Sequence, residues 1–325
     1  MYPDLELLRK SIAETSVNSL FLERNMDRVL LHLMDYLNPV RQAITRKPGS
    51  GTGYQGYIRT PGITTNTFDD VLDLDDITDP NEKTGTYTEL NLPYKTIGSK
   101  GRIYRRVQKT GRSVADLFRE EVEGKAAELR DAEEMRIYWG NSPTANTLQF
   151  PGLNSYMVTN ATSQVVALTN TGVGVTLTLA KLDEAIDANR GNPGLIVTSR
   201  AGRRKLNALL VANQRFIGST EIAGGFRVMT YNDIPVVAST NIPDSLNITS
   251  GGTVSALTGG STTCMFIVDT DPGVLWMDVL TEVFMKLLAE TSPQWQEFAM
   301  LQDQTLVLKD YRKVSQLTGI AILGT

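Results

Sequence analysis

The sequence is poor in the side chains that most often carry chemistry, with one cysteine (Cys264) and one histidine (His32) among 325 residues. Zinc sites need several Cys or His ligands, and Ser-His or Cys-His catalysis needs a histidine base. His32 lies in the apolar run "RVLLHLMDYL", where a packed position on a helix face is expected. A single cysteine excludes an internal disulfide and favours an intracellular folding compartment. We therefore predict a protein without catalytic residues, metal or cofactor.

Several other signals are missing. No apolar run reaches the eighteen residues of a membrane span, and the N-terminus lacks the basic-then-apolar pattern of a signal peptide. The Gly-rich stretch "TRKPGSGTGYQG" (45–56) lacks the lysine and Ser/Thr that end a phosphate loop, so we interpret it as a flexible joint. The net charge of -4 argues against a general polyanion binder.

What the chain does contain begins with a helical pattern over residues 4–37, stopped at Asn38-Pro39. Residues 54–110 then read as a long two-armed β ribbon with an acidic tip, which lacks the central glycine of a calcium loop. The acids of the tip are Asp69, Asp70, Asp73, Asp75, Asp76, Asp79 and Glu82. A two-stranded ribbon is marginal in water, and this one has few large apolar residues, so we expect it to dock on a neighbouring subunit.

A long charged helix follows, capped by Ser113 and running from Val114 to about Trp139. One narrow seam is apolar, and its members are Val114, Phe118, Val122, Ala126, Leu129 and Ala132. The other faces are charged and include Glu133 and Glu134. At ~1.5 Å per residue the helix is a rod of roughly 40 Å, and we expect it to lay its seam on a sheet. A coiled coil is the alternative for this pattern.

The remainder alternates between helix and strand. Residues 151–176 are expected to be loop with short strands, and 178–270 to be an α/β unit with helix caps at Thr178 and Ser199 and a turn at 231–233. Its buried strands are expected at 195–198 and 264–270, and 248–262 is expected to be a flexible loop. Strands are expected at 282–290 and 294–302, followed by a long final pair through "TLVLKDYRKVSQLTGIAIL" (305–323). The final strands are expected to pair with residues far away in sequence.

This order of elements resembles the major capsid protein of tailed bacteriophages, with the Hong Kong 97-type fold. The local echoes are "PGLNSYM", "NPGLIVTSRAGRRKLNALL" and "YNDIPVVASTNIP". The resemblance covers essentially the whole chain and implies an α+β protein. Its parts would be an N-terminal arm (1–50), an extended β-hairpin loop (51–110), a peripheral domain with a spine helix (111–170), an axial domain (171–280) and return strands of the peripheral domain (281–325). The family's tight turn often carries glycine where this chain has Asp233.

The resemblance implies a function in self-assembly. Copies would form pentamers and hexamers of an icosahedral shell that holds double-stranded DNA non-specifically, assembled in the host cytoplasm and kept in the virion. A portal, a separate scaffold and a decoration protein are possible partners, and no membrane is involved. The ribbon would lie over the spine helix of an adjacent subunit, and the N-terminal helix would clamp a neighbour.

Charge suggests which surfaces meet. Residues 100–112 carry six bases and no acid, so the acidic tip is expected to contact basic residues of a neighbouring copy. The candidates are either this strip, represented by Arg102, Arg105 and Arg106, or the helical trio Arg203, Arg204 and Lys205.

Three other functions stay open at this point. An encapsulin compartment has the same fold but holds protein cargo. A nucleotide-dependent α/β enzyme built on 178–270 would need a glycine-rich strand-to-helix turn, and "TSRAGRR" has one glycine. A tail or adhesin structural protein would suit the Thr/Asn/Gly-rich segments but not the central α/β unit.

Overall fold

The structure is a computed structural model that describes residues 38–60, 86–111, 117–168, 174–212, 218–222, 226–249, 252–288 and 294–322. The helices are α1 (Pro39–Ala43), α2 (Arg105–Gly111), α3 (Leu117–Trp139), α4 (Leu153–Thr159), α5 (Leu179–Ala188) and α6 (Arg200–Ala212), with short 3-10 turns at Thr162–Gln164 and Tyr311–Lys313. The first strands are β1 (Thr45–Pro48), β2 (Gly53–Thr60), β3 (Thr86–Pro93), β4 (Lys95–Tyr104), β5 (Val165–Ala167), β6 (Leu195–Thr198), β7 (Gly218–Ile222) and β8 (Phe226–Tyr231). The later strands are β9 (Ile234–Ala238), β10 (Asn247–Ile248), β11 (Val254–Ala256), β12 (Thr262–Val268), β13 (Leu275–Leu287), β14 (Trp295–Leu308) and β15 (Val314–Ala321).

The long helix α3 lies on a four-stranded sheet of order β1-β13-β14-β4. The described part of its seam meets the sheet as predicted: Phe118 contacts Phe298 edge-on at 5.5 Å between ring centroids, and Leu129 is buried in the same core. Val114, the first predicted member of the seam, lies outside the described residues. The sheet joins distant parts of the chain, because β14 pairs antiparallel with β4 and β1 pairs parallel with β13. The expectation of long-range pairing by the last strands is confirmed.

The second sheet has seven strands in the order β5-β15-β12-β6-β9-β8-β7 and carries helices α5 and α6. Both predicted helix caps are present. The Thr178 Oγ1 accepts a hydrogen bond from the Lys181 N–H at 3.4 Å, and the Ser199 Oγ accepts one from the Gly202 N–H at 3.0 Å. Strands β6 and β12 are buried along their whole length, which explains why they read as continuous apolar runs.

The turn between β8 and β9 has the conformation that its sequence predicts. Asn232 and Asp233 have φ values of +49° and +64°, so both lie in the left-handed region. A two-residue hairpin of this kind favours Asn, Asp and Gly because they tolerate positive φ. Asp233 therefore fills the position where the phage family often has glycine.

One apolar core connects the two sheets at the carboxyl end of α3. Tyr138 stacks on Phe266 of β12 with ring centroids 5.5 Å apart, and Trp139 meets the same ring edge-on at 5.6 Å. The Trp139 indole N–H donates to the carbonyl of Asn241 at 2.9 Å. The carboxyl end of the long helix thus fixes the smaller sheet against the larger one.

Four expectations from sequence differ from the structure. Residues 153–159, expected to be loop, form helix α4, and residues 105–111, read as strand-like, form helix α2. The expected flexible loop at 248–262 contains the hairpin β10–β11. Glu133 and Glu134, expected on exposed faces, are buried.

The ribbon also differs from its prediction. Strands β2 and β3 pair antiparallel as expected, but their base docks within the same subunit, because Tyr54 and Leu92 pack on Trp276 of the four-stranded sheet. Tyr54 and Trp276 lie edge-on with ring centroids 5.4 Å apart. The base of the ribbon therefore has a partner within its own subunit, and docking of the rest of the ribbon on a neighbouring copy stays a prediction. The acidic tip, the helix at 4–37 with His32, and Ser113 lie outside the described residues.

The five-segment division of the chain stays a prediction. Sheet membership cuts across it, because β15 pairs with β12 of the larger sheet whereas β13 and β14 belong to the four-stranded sheet.

Candidate assembly surfaces

The most distinctive surface is the outer half of β13. Its first residues, Leu275–Val279, are buried, whereas the strand from Leu280 onward is exposed or half-exposed. Strand β1 covers the outer edge only as far as Val279, the residue opposite Pro48. We call residues 280–287 the β13 arm.

The β13 arm is apolar to an unusual degree for exposed strand. The members that are large and hydrophobic are 38–51% exposed, and they are Leu280, Val283, Phe284, Met285 and Leu287. Residues directly opposite each other in an antiparallel pair share a face, and Met285 and Leu287 lie opposite the buried Met300 and Phe298. The arm therefore extends the core face of the sheet beyond the part that α3 covers.

The basic strip predicted at 100–112 is already partly neutralised within the subunit. On strand β4, the Arg102 Nε donates to the Glu297 Oε1 at 2.7 Å, and the Lys100 Nζ lies 2.6 Å from the Glu297 Oε2. These two cations, Lys100 foremost, lower the pKa of the Glu297 carboxyl. Arg102 also stacks over the Trp295 ring, 4.7 Å from its centroid. Arg105 begins α2 as an exposed residue beside the exposed Arg106.

The second predicted basic group lies elsewhere, on α6 beside the seven-stranded sheet. Arg203 and Arg204 are exposed and Lys205 is half-buried. Leu206 and Leu210 of the same helix are buried in the core beneath the sheet, and Arg203 and Arg204, near its amino end, remain exposed. The strip and the α6 trio are thus separate surfaces, and the six aspartates predicted to meet one of them, Asp69 to Asp79, lie outside the described residues.

Two carboxyl groups near the end of α3, those of Glu133 and Glu134, are buried, which was not predicted from the sequence. Glu134 accepts hydrogen bonds at Oε1 from the Val40 N–H (3.2 Å) and the Tyr138 hydroxyl (2.6 Å), and at Oε2 from the Arg41 N–H (2.6 Å). Burial raises the pKa of Glu134 to about 7, and the charge of Glu133 acts in the same direction, although the three hydrogen bonds oppose the shift. The only sequence signal was the helical spacing that places Glu134 and Tyr138 one turn apart.

Glu133 holds the same segment through arginines. Its Oε2 accepts from the Arg41 Nε at 2.7 Å, and its Oε1 lies 2.9 Å from the Arg46 Nη1. Arg46 also donates to the buried Gln304 Oε1 at 3.1 Å. Residues 38–48, where the described chain begins, are therefore fastened to both α3 and the four-stranded sheet.

The described residues offer little support for a ligand pocket, a metal site or a membrane span. An open depression of about 380 Å³ lies between α5 and the β8–β9 turn, lined by Asp183, Ile186, Asp187 and Asn232. Within the described ranges, no group of three or more Cys, His, Asp or Glu side chains is placed to hold a metal ion. Among the described helices, none combines the length and apolar character needed to cross a membrane.

Comparison with solved structures identifies the fold. The chain superposes on the SrpI encapsulin of Synechococcus elongatus PCC 7942 with a TM-score of 0.69 at 9% identity, covering 96% of this chain and 97% of that one. A chain from the capsid of a native GTA particle superposes with a TM-score of 0.61 at 10% identity, covering 95% of this chain and 99% of that one. For the capsid of Myoviridae phage XM1 the TM-score is 0.59 at 13% identity, with 91% of this chain and 97% of that one covered. No family model matches the sequence, and a search of curated proteins finds no relative.

These superpositions extend over nearly the whole chain and therefore define its fold. The chain has the α+β Hong Kong 97-like capsid fold, as the order of its elements predicted. The fold is shared by capsid proteins of phages and by an encapsulin.

Proposed function

We propose that the protein is a major capsid protein that assembles with copies of itself, as pentamers and hexamers, into an icosahedral shell around double-stranded DNA. The observation that carries the proposal is the β13 arm, an exposed apolar strand on a capsid fold. Exposed hydrophobic strand edges pair with other chains unless a protein protects them. The arm carries Glu282, Lys286 and two register irregularities, but it has no proline, and within the described residues no strand covers its outer edge beyond Val279. We infer that another copy covers its apolar side chains.

The remaining surfaces fit the same role. The acidic tip would meet the α6 trio of a neighbour rather than the basic strip, because Lys100 and Arg102 already share Glu297. Packaged DNA would be held without sequence readout, through phosphate contacts of basic side chains. A portal, a scaffold and a decoration protein are the expected accessory partners, and the virion is the expected location.

An encapsulin-type compartment is the second candidate, favoured by the superposition on SrpI encapsulin. Both candidates form shells and neither requires catalysis by the chain. The contents of isolated particles separate them, because a viral shell holds DNA and an encapsulin holds a cargo protein.

A double substitution in the β13 arm tests self-assembly. We expect Phe284→Asp with Met285→Asp to abolish shells seen by electron microscopy, because charge on the arm prevents burial against another copy. Both residues are 40% or more exposed in the subunit, so its unfolding midpoint should change little. Lys181→Gln, at an exposed position on α5 outside the arm, is the control and should leave shells intact.

Shells of normal number and size from the double variant would overturn the role of the arm. If the wild-type protein formed only tubes or small oligomers, the proposal of a closed icosahedral shell would be wrong.

A further inference from the structure

A second feature of the subunit concerns residues 38–48, the segment through which residues 1–37 join the described chain. This segment is held by hydrogen bonds to buried carboxyl groups, in addition to apolar contacts of Val40 and Ile44. The central group is the Glu134 carboxyl, with 0% of its residue exposed. Its three donors come from two parts of the molecule, the first turn of α1 and the last turns of α3.

We propose that Glu134 is a proton-sensitive anchor, so that the grip of the long helix α3 on residues 38–48 changes with the charge of this one carboxyl group. The inference is independent of the shell-forming function, because every contact that it uses lies within one subunit. In an assembled shell it would link the solution pH to the root of the N-terminal segment.

The groups that face Glu134 determine how the anchor responds. On α3 these are the Glu133 carboxylate and the Tyr138 hydroxyl, and from α1 comes Arg41, whose guanidinium is engaged by Glu133. Behind Tyr138 lie the thiol of Cys264 and the hydroxyl of Ser239. Burial raises the pKa of Cys264 to about 12 and that of Tyr138 well above its usual value, so neither titrates near neutrality.

The direction of the response follows from the burial. Burial raises the pKa of Glu134 to about 7 when α1 is in place, whereas an exposed glutamate titrates near its usual value of 4.5. The anchored state therefore binds the proton more tightly than the released state, and acid favours the anchored state. As the pH rises from about 5 to about 7 the anchor weakens, and above pH 7 it weakens no further because the carboxyl is then charged in both states.

Hydrogen exchange of the full chain tests this inference. Between pH 5 and 7 we expect the protection factors of the Val40 and Arg41 amides, corrected for intrinsic exchange, to fall by up to roughly tenfold per pH unit. In Glu134→Gln, which cannot ionise, the same amides should show a flat profile. Glu123→Gln, an exposed position on the same helix, is the matched control and should keep the wild-type slope.

Tyr138→Phe is a second variant that does not depend on Glu134→Gln folding. The hydroxyl of Tyr138 lowers the pKa of Glu134 through its hydrogen bond. Removal of the hydroxyl should therefore raise this pKa, and the amide protection factors should continue to fall to a higher pH than in the wild-type protein. A wild-type profile that is flat, or that rises with pH, would overturn the inference, as would a Glu134→Gln profile with the wild-type slope.

Discussion

At the scale of single residues, the junction after the long helix depends on two glycines. The Gly152 N–H donates to the Gly140 carbonyl at 2.8 Å. A Cβ added to Gly152 would lie 2.6 Å from the Arg136 oxygen, 2.6 Å from the Gly140 nitrogen and 2.9 Å from the Ile137 oxygen. All three are backbone atoms, so no side chain can move to make room. The glycine of "PGLNSYM" is thus required by close approach of two backbones.

We therefore expect Gly152→Ala to lower the free energy of unfolding by roughly 1–3 kcal/mol, the usual range for overpacking. Urea unfolding of unassembled subunits would measure it. Gly273→Ala is the matched control, because the nearest atom to an added Cβ there is 3.4 Å away. Equal free energies of unfolding for the two variants would contradict the claim that the close approach of the two backbones requires glycine at position 152.

At the scale of elements, the ribbon is anchored at its base by Trp276. This residue is 6% exposed, contacts Tyr54 on one side, and has the Lys47 Nζ 3.9 Å from its ring centroid. Leu92 and Val307 complete the cluster. Tyr57 lies on the opposite face of the strand and is 69% exposed, so the subunit's own sheet supports one face of the ribbon.

Trp276→Ala should remove this platform. We expect a loss of about 3–5 kcal/mol, as for other buried aromatic residues, together with a loss of amide protection in Gly53–Thr60 and Thr86–Pro93. Hydrogen exchange of unassembled subunits would report both strands. Tyr57→Ala on the exposed face should leave protection of the ribbon unchanged, and the same protection in both variants would show that the base does not depend on Trp276.

At the scale of the whole molecule, acidic and basic side chains are concentrated in separate segments of the sequence. Residues 69–82 hold seven acids, while Arg203 and Arg204 are exposed on α6. Exposed ion pairs contribute only ~0–1 kcal/mol each, so they would orient copies while apolar surfaces such as the β13 arm supply most of the affinity.

Reversing Asp73, Asp75 and Asp76 to lysine should therefore reduce the yield of shells without unfolding the subunit. Adding Arg203→Glu and Arg204→Glu to that variant should restore part of the yield, since the complementary charges are exchanged. Electron microscopy and sedimentation would count the particles. Normal shells from the triple aspartate variant would refute the pairing, and failure of the exchange to restore any yield would exclude α6 as the receptor.

Much of this architecture was predictable from local patterns. The caps at Thr178 and Ser199, the turn at 232–233, the apolar strands β6 and β12 and the end of α3 near Trp139 follow from residue types and spacing, because backbone sterics and hydrophobic periodicity act over a few residues. The helix α4 was missed because its Thr- and Asn-rich surroundings resemble loop.

What the sequence by itself determined is the order and type of most elements, and with them the capsid fold. Only the tertiary structure decided that Glu133 and Glu134 are buried, that the ribbon base rests on Trp276 of its own subunit, and that none of the described strands pairs with the outer edge of β13 beyond Val279. The physical reason is that burial of a side chain depends on which distant segments pack over it. A charged helix face or an apolar strand carries the same local pattern whether it is covered or exposed.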